Sequence, residues 1–213
     1  MKPLIVAFGG IQGKLAMPIF EFKNFLTENF EDFNFIFIRD LKQAWYTRGM
    51  DFKDLNITTK NINENIKTLN NIIGKQENSK VIFLGNSMGG FASILYGVLL
   101  NVDCILSFSP QTFINSKKRK KYNDTRWAKQ INSIHSKISD HKYFDLMNLN
   151  KLNYTSSIKL FVGSQSKLDN IHADNIKELN NVHISVEKGG HSVIRGIKNN
   201  GKLYKIIKEA VCA

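Results

Sequence analysis

The stretch from Val81 to Ala92 constrains the fold of this chain more than any other. Four apolar residues, Val-Ile-Phe-Leu, run into Gly-Asn-Ser-Met-Gly and then into a helix-forming segment. A strand, a sharp turn and a helix in that order are the context in which Gly-x-Ser-x-Gly presents a nucleophilic serine. Gly85 and Gly89 leave room for such a turn, because a side chain at either position would collide across it. The pattern predicts that the Ser87 hydroxyl projects beyond the end of a strand. The alternative is an ordinary Gly-rich turn.

Apolar segments alternate with amphipathic segments along the rest of the chain. The predicted strands cover residues 4–8, 34–38, 81–84, 103–108, 158–162 and 182–186, and the predicted helices cover 18–30, 60–74, 89–100, 173–180 and 201–211. Strands that are apolar throughout indicate a parallel sheet with helices on both faces. The predicted fold is therefore α/β, a single-domain three-layer α/β/α sandwich over residues 1–213. Right-handed crossovers would bring the carboxyl ends of the strands to one edge, where ligands bind.

A serine hydroxyl at neutral pH needs a base to activate it, and that base needs an orienting acid. Of the five histidines, at positions 135, 141, 172, 183 and 191, His191 follows the last predicted strand after two glycines that allow a close turn. Asp169 is the only carboxylate between the fifth predicted strand and the next predicted helix. It could hold His191 in the tautomer that accepts the serine proton. His172 could reach the same site or could cap the following helix.

Acyl transfer also needs hydrogen-bond donors for the oxyanion of the tetrahedral intermediate. The backbone N–H of Met88, directly after the serine, is one candidate. The second should come from the loop after the first strand, where Gly9-Gly10-Ile11 lies. We expect the N–H of Gly10 or Ile11 to serve there, with a plain turn as the alternative.

Taken together, these features resemble the α/β-hydrolase superfamily over nearly the whole chain. The resemblance depends on Gly9-Gly10, the turn around Ser87, Asp169 and Gly190-His191, in the order Ser, Asp, His along the sequence. It implies a mostly parallel sheet that lacks the first two antiparallel strands of the full eight-stranded form, and it implies neither a metal nor an organic cofactor. The usual His-Gly oxyanion motif is replaced by Gly-Gly. The resemblance does not specify a substrate, because this fold supports several kinds of acyl chemistry.

Two further regions could shape the substrate site. Residues 111–156 separate two strands by far more than a crossover needs, which predicts a lid over the serine turn. Its basic run, residues 117–121, could bind an acidic ligand, act as a localisation signal or form a solvated face.

Arg39 and Trp45 follow a strand that we expect beside the serine strand. They could contact substrate, or they could belong to a structural salt bridge and a packed aromatic pair.

The net charge of +12 comes from 30 Lys plus Arg and 18 Asp plus Glu. It suits an acidic partner, or it reflects a composition rich in Lys and Asn. None of the usual nucleic-acid-binding motifs occurs, so no nucleic-acid partner is expected.

Cys104 and Cys212 do not form a disulfide framework. The N-terminal apolar run is too short for a signal peptide, and no stretch could form a transmembrane helix. These observations predict a cytoplasmic protein.

The leading functional hypothesis is a serine hydrolase that cleaves a carboxylic ester through Ser87, His191 and Asp169. A basic insertion with few apolar stretches argues against a long-chain lipase. It favours a small acyl group on a polar or anionic carrier, such as an acetylated glycan. Two alternatives remain open. One is an acyltransferase with the same triad, in which an alcohol replaces water. The other is a non-catalytic hydrolase-fold module that binds an acidic partner.

Overall fold

A six-stranded parallel sheet forms the centre of the protein. The computed structural model describes residues 1–11, 21–52, 55–75, 77–138 and 142–212. The strand order is β2-β1-β5-β6-β7-β8, and a two-stranded antiparallel hairpin, β3-β4, lies apart from this sheet. The strands are β1 (Lys2–Phe8), β2 (Asn34–Ile38), β3 (Asp51–Phe52), β4 (Ile57–Thr58), β5 (Asn78–Asn86), β6 (Cys104–Phe108), β7 (Ser157–Gly163) and β8 (Val182–Glu187). Each of the six predicted strands is therefore present in the sheet.

Helices connect the strands and follow the last one. They are α1 (Lys23–Asn29), α2 (Ile62–Gly74), α3 (Met88–Leu99), α4 (Ser116–Lys121), α5 (Ala128–His135), a 3-10 helix (Leu146–Lys151), α6 (Lys167–Asn175), α7 (Val193–Asn199) and α8 (Lys202–Cys212). Among the described residues, none of these helices is both long and apolar enough to span a membrane. The first residues of the helix predicted at 18–30 lie outside the described ranges.

Both faces of the sheet are covered, as the apolar strands predicted. Along β1, Leu4 and Val6 point into one core cluster, and Ile5 and Ala7 point into the other. This alternation follows from the two-residue period of a strand. One cluster packs the sheet against α2, α3, α5 and α6, and the other packs it against α1, α7 and α8. The three-layer α/β/α arrangement is confirmed.

Three details differ from the sequence prediction. The helix predicted at 173–180 instead covers Lys167–Asn175, because the Ser166 side chain caps its start by accepting from the N–H of Asp169 at 3.4 Å. Helix α7 and the β3-β4 hairpin were not predicted. The strand before Arg39 is not beside the serine strand, since β1 lies between β2 and β5.

The insertion at 111–156 contributes to the core rather than standing apart from it. Ile131 and Ile134 of α5, together with Leu146 and Leu149 of the 3-10 helix, are almost fully buried in the cluster that contains α3. The basic run forms helix α4, and its residues differ in burial. Arg119 is buried, and the ammonium group of Lys118 lies 2.6 Å from a carboxylate oxygen of Asp145. Only part of the run is therefore a solvated face.

Candidate active site

Ser87 occupies the sharp turn between β5 and α3. Its backbone has φ 55° and ψ −115°, a combination that non-glycine residues rarely adopt. The N–H of Ser87 donates to the carbonyl of Phe108 at 2.9 Å, which ties the turn to the neighbouring strand. A Cβ at Gly85 would lie 2.1 Å from the carbonyl oxygen of Gly89, and one at Gly89 would lie 2.2 Å from that of Phe8. Both glycines are therefore required by the packing of backbone against backbone.

The structure brings the three predicted side chains together. The Nε2 atom of His191 lies 3.1 Å from Oγ of Ser87. On the other side of the ring, Nδ1 lies 2.8 Å and 3.0 Å from the two carboxylate oxygens of Asp169. With its proton on Nδ1, the imidazole donates to Asp169 and leaves Nε2 free to accept the serine proton. This is the geometry that activates a serine nucleophile.

A close approach of two loops places His191 over the sheet edge. A Cβ at Gly163, the last residue of β7, would lie 2.3 Å from the carbonyl oxygens of Gly189 and Gly190. The N–H groups of Ser164 and Gln165 donate to the carbonyls of Glu187 and Gly189, both at 2.8 Å. The absence of a side chain at Gly163 thus allows the loop after β8 to cross the end of β7. The sequence offered Gly189 and Gly190 for this turn but gave no reason to single out Gly163.

Asp169 lies in the first turn of α6 and is fully buried. Burial by itself would raise the pKa of this carboxyl. The hydrogen bond with His191, supported by Ser166 and Arg126, outweighs that effect and lowers the pKa below its usual value. One guanidinium nitrogen of Arg126 donates to Asp169 Oδ1 at 2.8 Å. The acid is therefore ionised at neutral pH and is held by groups on both sides.

A network of buried charged and polar groups lies behind Asp169, and it was not predicted from the sequence. The same guanidinium of Arg126 donates to both carboxylate oxygens of Asp124, at 3.0 Å and 2.9 Å. Asp124 also lies 3.0 Å from Nε2 of His172, which is fully buried and therefore neither an exposed cap nor a substrate contact. Burial lowers the pKa of His172, and Asp124 only partly offsets this. The two charged residues Asp124 and Arg126 in the insertion hint at such a network. Their partners Asp169 and His172 lie on α6, more than 40 positions later in the sequence, so the pairing could not be predicted.

The predicted oxyanion donors lie around the same turn. Met88 is the first residue of α3, where backbone N–H groups have no partner within the helix. Gly10 is buried beside the turn, since a Cβ there would lie 3.3 Å from the carbonyl oxygen of Asn86. Ile11 lines the same cavity as Ser87 and His191. All three residues are therefore close to the serine, in keeping with the expected role.

A cavity of about 550 Å³ opens in front of Ser87. Seven of its ten lining residues are polar or charged; the lining residues are Ile11, Glu21, Asn86, Ser87, Trp127, His191, Ser192, Ile194, Arg195 and Lys198. The Glu21 carboxylate accepts from the Asn86 amide at 3.0 Å. Burial of that carboxyl raises its pKa, and the Asn86 hydrogen bond and the nearby His191 and Arg195 oppose the rise. No cluster of acidic, His or Cys side chains suited to a metal ion occurs within the described ranges.

The proposed substrate contacts of Arg39 and Trp45 are not supported by their positions. Trp45 is fully buried and packs in the core, so its predicted contact with substrate is wrong. The buried Asp40 carboxylate explains this, because it accepts from the N–H groups of Lys42 at 3.0 Å and Tyr46 at 2.8 Å and so folds the loop inward. Arg39 pairs with Asp51 of the small hairpin through a β-bridge and is not among the residues lining the serine cavity. Trp45 thus has a structural role in the core.

Comparison with solved structures yields matches over almost the whole chain. The capsule O-acetyltransferase of Neisseria meningitidis serogroup A, in complex with caged gadolinium, is similar with a TM-score of 0.73 and 18% identity, covering 97% of this chain and 87% of that one. The fluorophosphonate-binding serine hydrolase F of Staphylococcus aureus, with substrate bound, has a TM-score of 0.64 and 15% identity, with coverage of 99% and 85%. The protein Est1E of Butyrivibrio proteoclasticus has a TM-score of 0.64 and 13% identity, with coverage of 100% and 89%.

No protein-family model matches the sequence, and no curated protein sequence matches it. At such low identities the structural matches concern the fold alone. The parallel sheet with helices on both faces agrees with that fold. The chain has the α/β-hydrolase fold.

Proposed function

We propose that this protein is a serine hydrolase that cleaves carboxylic esters through an acyl-enzyme. The observation that carries the proposal is the unbroken chain of contacts from Ser87 Oγ to His191 Nε2 at 3.1 Å and from His191 Nδ1 to Asp169 at 2.8 Å. Three residues far apart in sequence meet in the order and spacing that nucleophilic catalysis requires. A hydrolase-fold module that only binds an acidic partner would have no need of this arrangement.

The steps follow from the positions of the atoms. Ser87 Oγ forms a bond to the ester carbonyl carbon while its proton passes to His191 Nε2. Asp169 stabilises the imidazolium, and the N–H groups of Met88 and of Gly10 or Ile11 bind the oxyanion. The intermediate then collapses, the bond to the alcohol oxygen breaks, and that oxygen takes the proton from His191. Water repeats the sequence on the acyl-serine, which releases the acid and restores the hydroxyl.

The substrate class that fits best is a small acyl group on a polar carrier such as a glycan. Three observations support this. The cavity at Ser87 is lined mainly by polar and charged side chains, with Arg195 and Lys198 among them. The insertion, which we propose lies over the serine as a lid, contributes Trp127 to the cavity wall. One structurally similar protein is a capsule O-acetyltransferase.

Acyl transfer to an alcohol is the second candidate, and one feature favours it. His191 borders two separate cavities, one that contains Ser87 and another formed by Arg126, Trp127 and residues 165–168. A base that is accessible from two sides could serve a donor and an acceptor. The two candidates share every catalytic residue and differ only in whether water or an alcohol attacks the acyl-serine.

Replacing Ser87 tests the nucleophile. Ser87→Ala should lower kcat for p-nitrophenyl acetate by roughly 10⁵–10⁶-fold and should abolish covalent labelling by a fluorophosphonate probe. Ser164→Ala is the matched control, because Ser164 is an exposed serine at the end of β7. Ser164→Ala should keep both turnover and labelling, and turnover or labelling that persists in Ser87→Ala would remove Ser87 from the mechanism.

Product analysis separates hydrolysis from transfer. With p-nitrophenyl acetate as donor and a large excess of an acceptor alcohol, a hydrolase yields acetate in proportion to p-nitrophenol. A transferase yields acetylated acceptor in that proportion instead. We expect acetate to be the main product.

A further inference from the structure

Trp127 and His191 both line two neighbouring cavities. The first, of about 550 Å³, contains Ser87, and the second, of about 590 Å³, is lined by Arg126, Trp127, Gln165, Ser166, Lys167, Leu168 and His191. The two cavities share only Trp127 and His191 among their lining residues. The imidazole of His191 therefore borders both cavities.

The position of Trp127 is fixed by its backbone and by the residue before it. Its φ of 54° and ψ of 31° fall in the left-handed region, which is unfavourable for a large aromatic residue. Arg126 compensates by donating to Asp169 at 2.8 Å and to Asp124 at 2.9 Å and 3.0 Å. The carbonyl of Arg126 accepts from the guanidinium of Arg119 at 2.7 Å. The carboxylate that orients His191 thus also anchors the segment that carries the indole.

The chemistry of ester cleavage assigns the second cavity to the alcohol half of the substrate. His191 Nε2 takes the proton from Ser87 Oγ and must later give it to the leaving oxygen. The alcohol half must therefore lie against His191, and the acyl half must lie against Ser87. The second cavity borders His191 but is not lined by Ser87. The alcohol can therefore extend into the second cavity without occupying the space beside Ser87.

The residues around the second cavity indicate what kind of alcohol it accepts. Trp127 and Leu168 provide apolar surface, and Gln165, Ser166 and Lys167 provide hydrogen-bonding groups beside it. A flat aromatic surface next to polar side chains complements a pyranose ring, whose C–H face is apolar and whose rim carries hydroxyls. We propose that this second cavity binds a hexopyranose ring in the alcohol half of the ester, stacked on Trp127. The inference rests on the proposed esterase function and names the alcohol that it uses.

Two acetate esters of similar polarity test this proposal. One is methyl glucopyranoside acetylated on its primary hydroxyl, and the other is sorbitol acetylated on a terminal hydroxyl, which offers the same groups without a ring. Trp127→Gly removes the indole and suits the backbone, because glycine adopts a φ of 54° without strain. Trp127→Phe keeps an aromatic face. Lys129→Ala, on the exposed surface of α5, is the control for changes in the insertion.

Trp127→Gly should lower the ratio of kcat/KM for the pyranoside ester to kcat/KM for the sorbitol ester by about tenfold, the size expected of one aromatic stacking contact. Trp127→Phe should recover most of that ratio, and Lys129→Ala should leave it unchanged. A ratio that is the same in Trp127→Gly and the wild type would overturn the assignment of the ring.

A binding measurement keeps this inference separate from the proposed function. In the Ser87→Ala background, calorimetric titration with the acetylated pyranoside should show weaker binding after Trp127→Gly than before it. Equal affinity would refute the pyranose site even if Ser87 proves to be the nucleophile. Persistent turnover in Ser87→Ala would instead refute the esterase mechanism and leave the affinity comparison to decide the pyranose site by itself.

Discussion

The buried carboxylate beside His191 has a second charged partner. Asp169 has no exposed surface, yet its pKa is lowered, because the hydrogen bond with His191 and the nearby Arg126 outweigh the effect of burial. Arg126 binds one carboxylate oxygen of Asp169 at 2.8 Å, and His191 Nδ1 lies closer to the other. The carboxylate thus cannot rotate without breaking a charge-assisted hydrogen bond. The orientation of His191 is determined by a residue of the insertion as well as by α6.

Asp169→Asn should leave the fold intact and lower kcat by about 10³–10⁴-fold, because an amide no longer holds the imidazole in the tautomer that accepts the serine proton. The measurement is steady-state turnover of p-nitrophenyl acetate. Asp174→Asn is the matched control, since Asp174 is an exposed acid on the same helix. If Asp174→Asn loses activity and Asp169→Asn does not, the orienting acid has been misassigned.

At the residue scale, the sequence indicated which side chains meet at the sheet edge but not which groups pack behind them. The meeting of Ser87, Asp169 and His191 could be predicted, because each of them follows a strand of the parallel sheet. Arg126 could not, since a charged residue within a long insertion carries no sign of which strand end it will reach. Trp45 was misjudged for a related reason. Nothing in its local sequence reveals that the Asp40 carboxylate would fold the loop inward.

The turn that carries Ser87 is built on contacts between backbones. Gly85 and Gly89 lie so close to carbonyl oxygens that a single methyl group at either position would clash with them. No side-chain movement can relieve such a clash, because the opposing carbonyl groups belong to the backbone of β1 and of the first turn of α3. The strand, the turn and α3 therefore form one unit that tolerates little change.

Gly89→Ala should destabilise the protein by more than about 4 kcal/mol or prevent folding, since its methyl group would lie 2.2 Å from the carbonyl oxygen of Phe8. Gly74→Ala is the control. Gly74 ends α2, and a Cβ there meets nothing within 4 Å. That change should raise the free energy of unfolding by about 0.5–1 kcal/mol. Urea unfolding followed by circular dichroism compares the two, and similar midpoints would contradict the packing argument.

At the level of elements, long apolar strands were predictable and short polar helices were not. The six strands and α2, α3 and α8 follow directly from their patterns of apolar residues. Helix α6 begins earlier than predicted, because its first turn depends on the cap at Ser166 rather than on apolar spacing. Helix α7 follows directly after Ser192 and consists of only seven residues, so its periodicity was too short to detect.

A buried charge network joins the insertion to the body of the molecule. Asp124 has no exposed side-chain surface and lies within 4.0 Å of charged or polar nitrogens of Arg119, Arg126 and His172. The neighbouring His172 has a lowered pKa, mainly because it is buried. Losing one partner from such a group leaves an uncompensated buried charge. A change in the protonation of this network should therefore change the free energy of unfolding.

The direction of that pH dependence follows from the lowered pKa of His172. As the pH falls below the ordinary value of 6.5, the unfolded chain takes up a proton that the folded protein does not. Stability therefore decreases on acidification from about pH 7 to about pH 5, by at most about 1.4 kcal/mol per pH unit for this one group. The carboxyls of Asp124 and Asp169, whose pKa is lowered from 3.8, remove further stability only at lower pH.

His172→Gln tests this assignment, because glutamine can still donate to Asp124 but does not titrate. The variant should show a smaller loss of stability between about pH 7 and about pH 5 than the wild type does. Urea unfolding at several pH values measures the slope. A slope that is unchanged by the substitution would mean that another group titrates in this range.

On the scale of the whole molecule, the three-layer architecture could be predicted, because apolar strands separated by helices admit few other arrangements. The order of the strands is harder to infer. We expected β2 beside the serine strand, whereas β1 separates them. A sequence shows which segments pair into a sheet more readily than which segment lies at its centre.

Helix α3 has every residue from Met88 to Val98 buried, whereas the side chain of His191 remains 39% exposed on a loop at the sheet edge. Ser87 and His191 therefore lie on parts of the protein that differ greatly in burial. Backbone amides of α3 should exchange with deuterium only when the sheet itself opens, and those around His191 should exchange far sooner. Gentle heating should therefore separate His191 from Ser87 while the turn that carries the serine stays folded, and cooling should restore the contact.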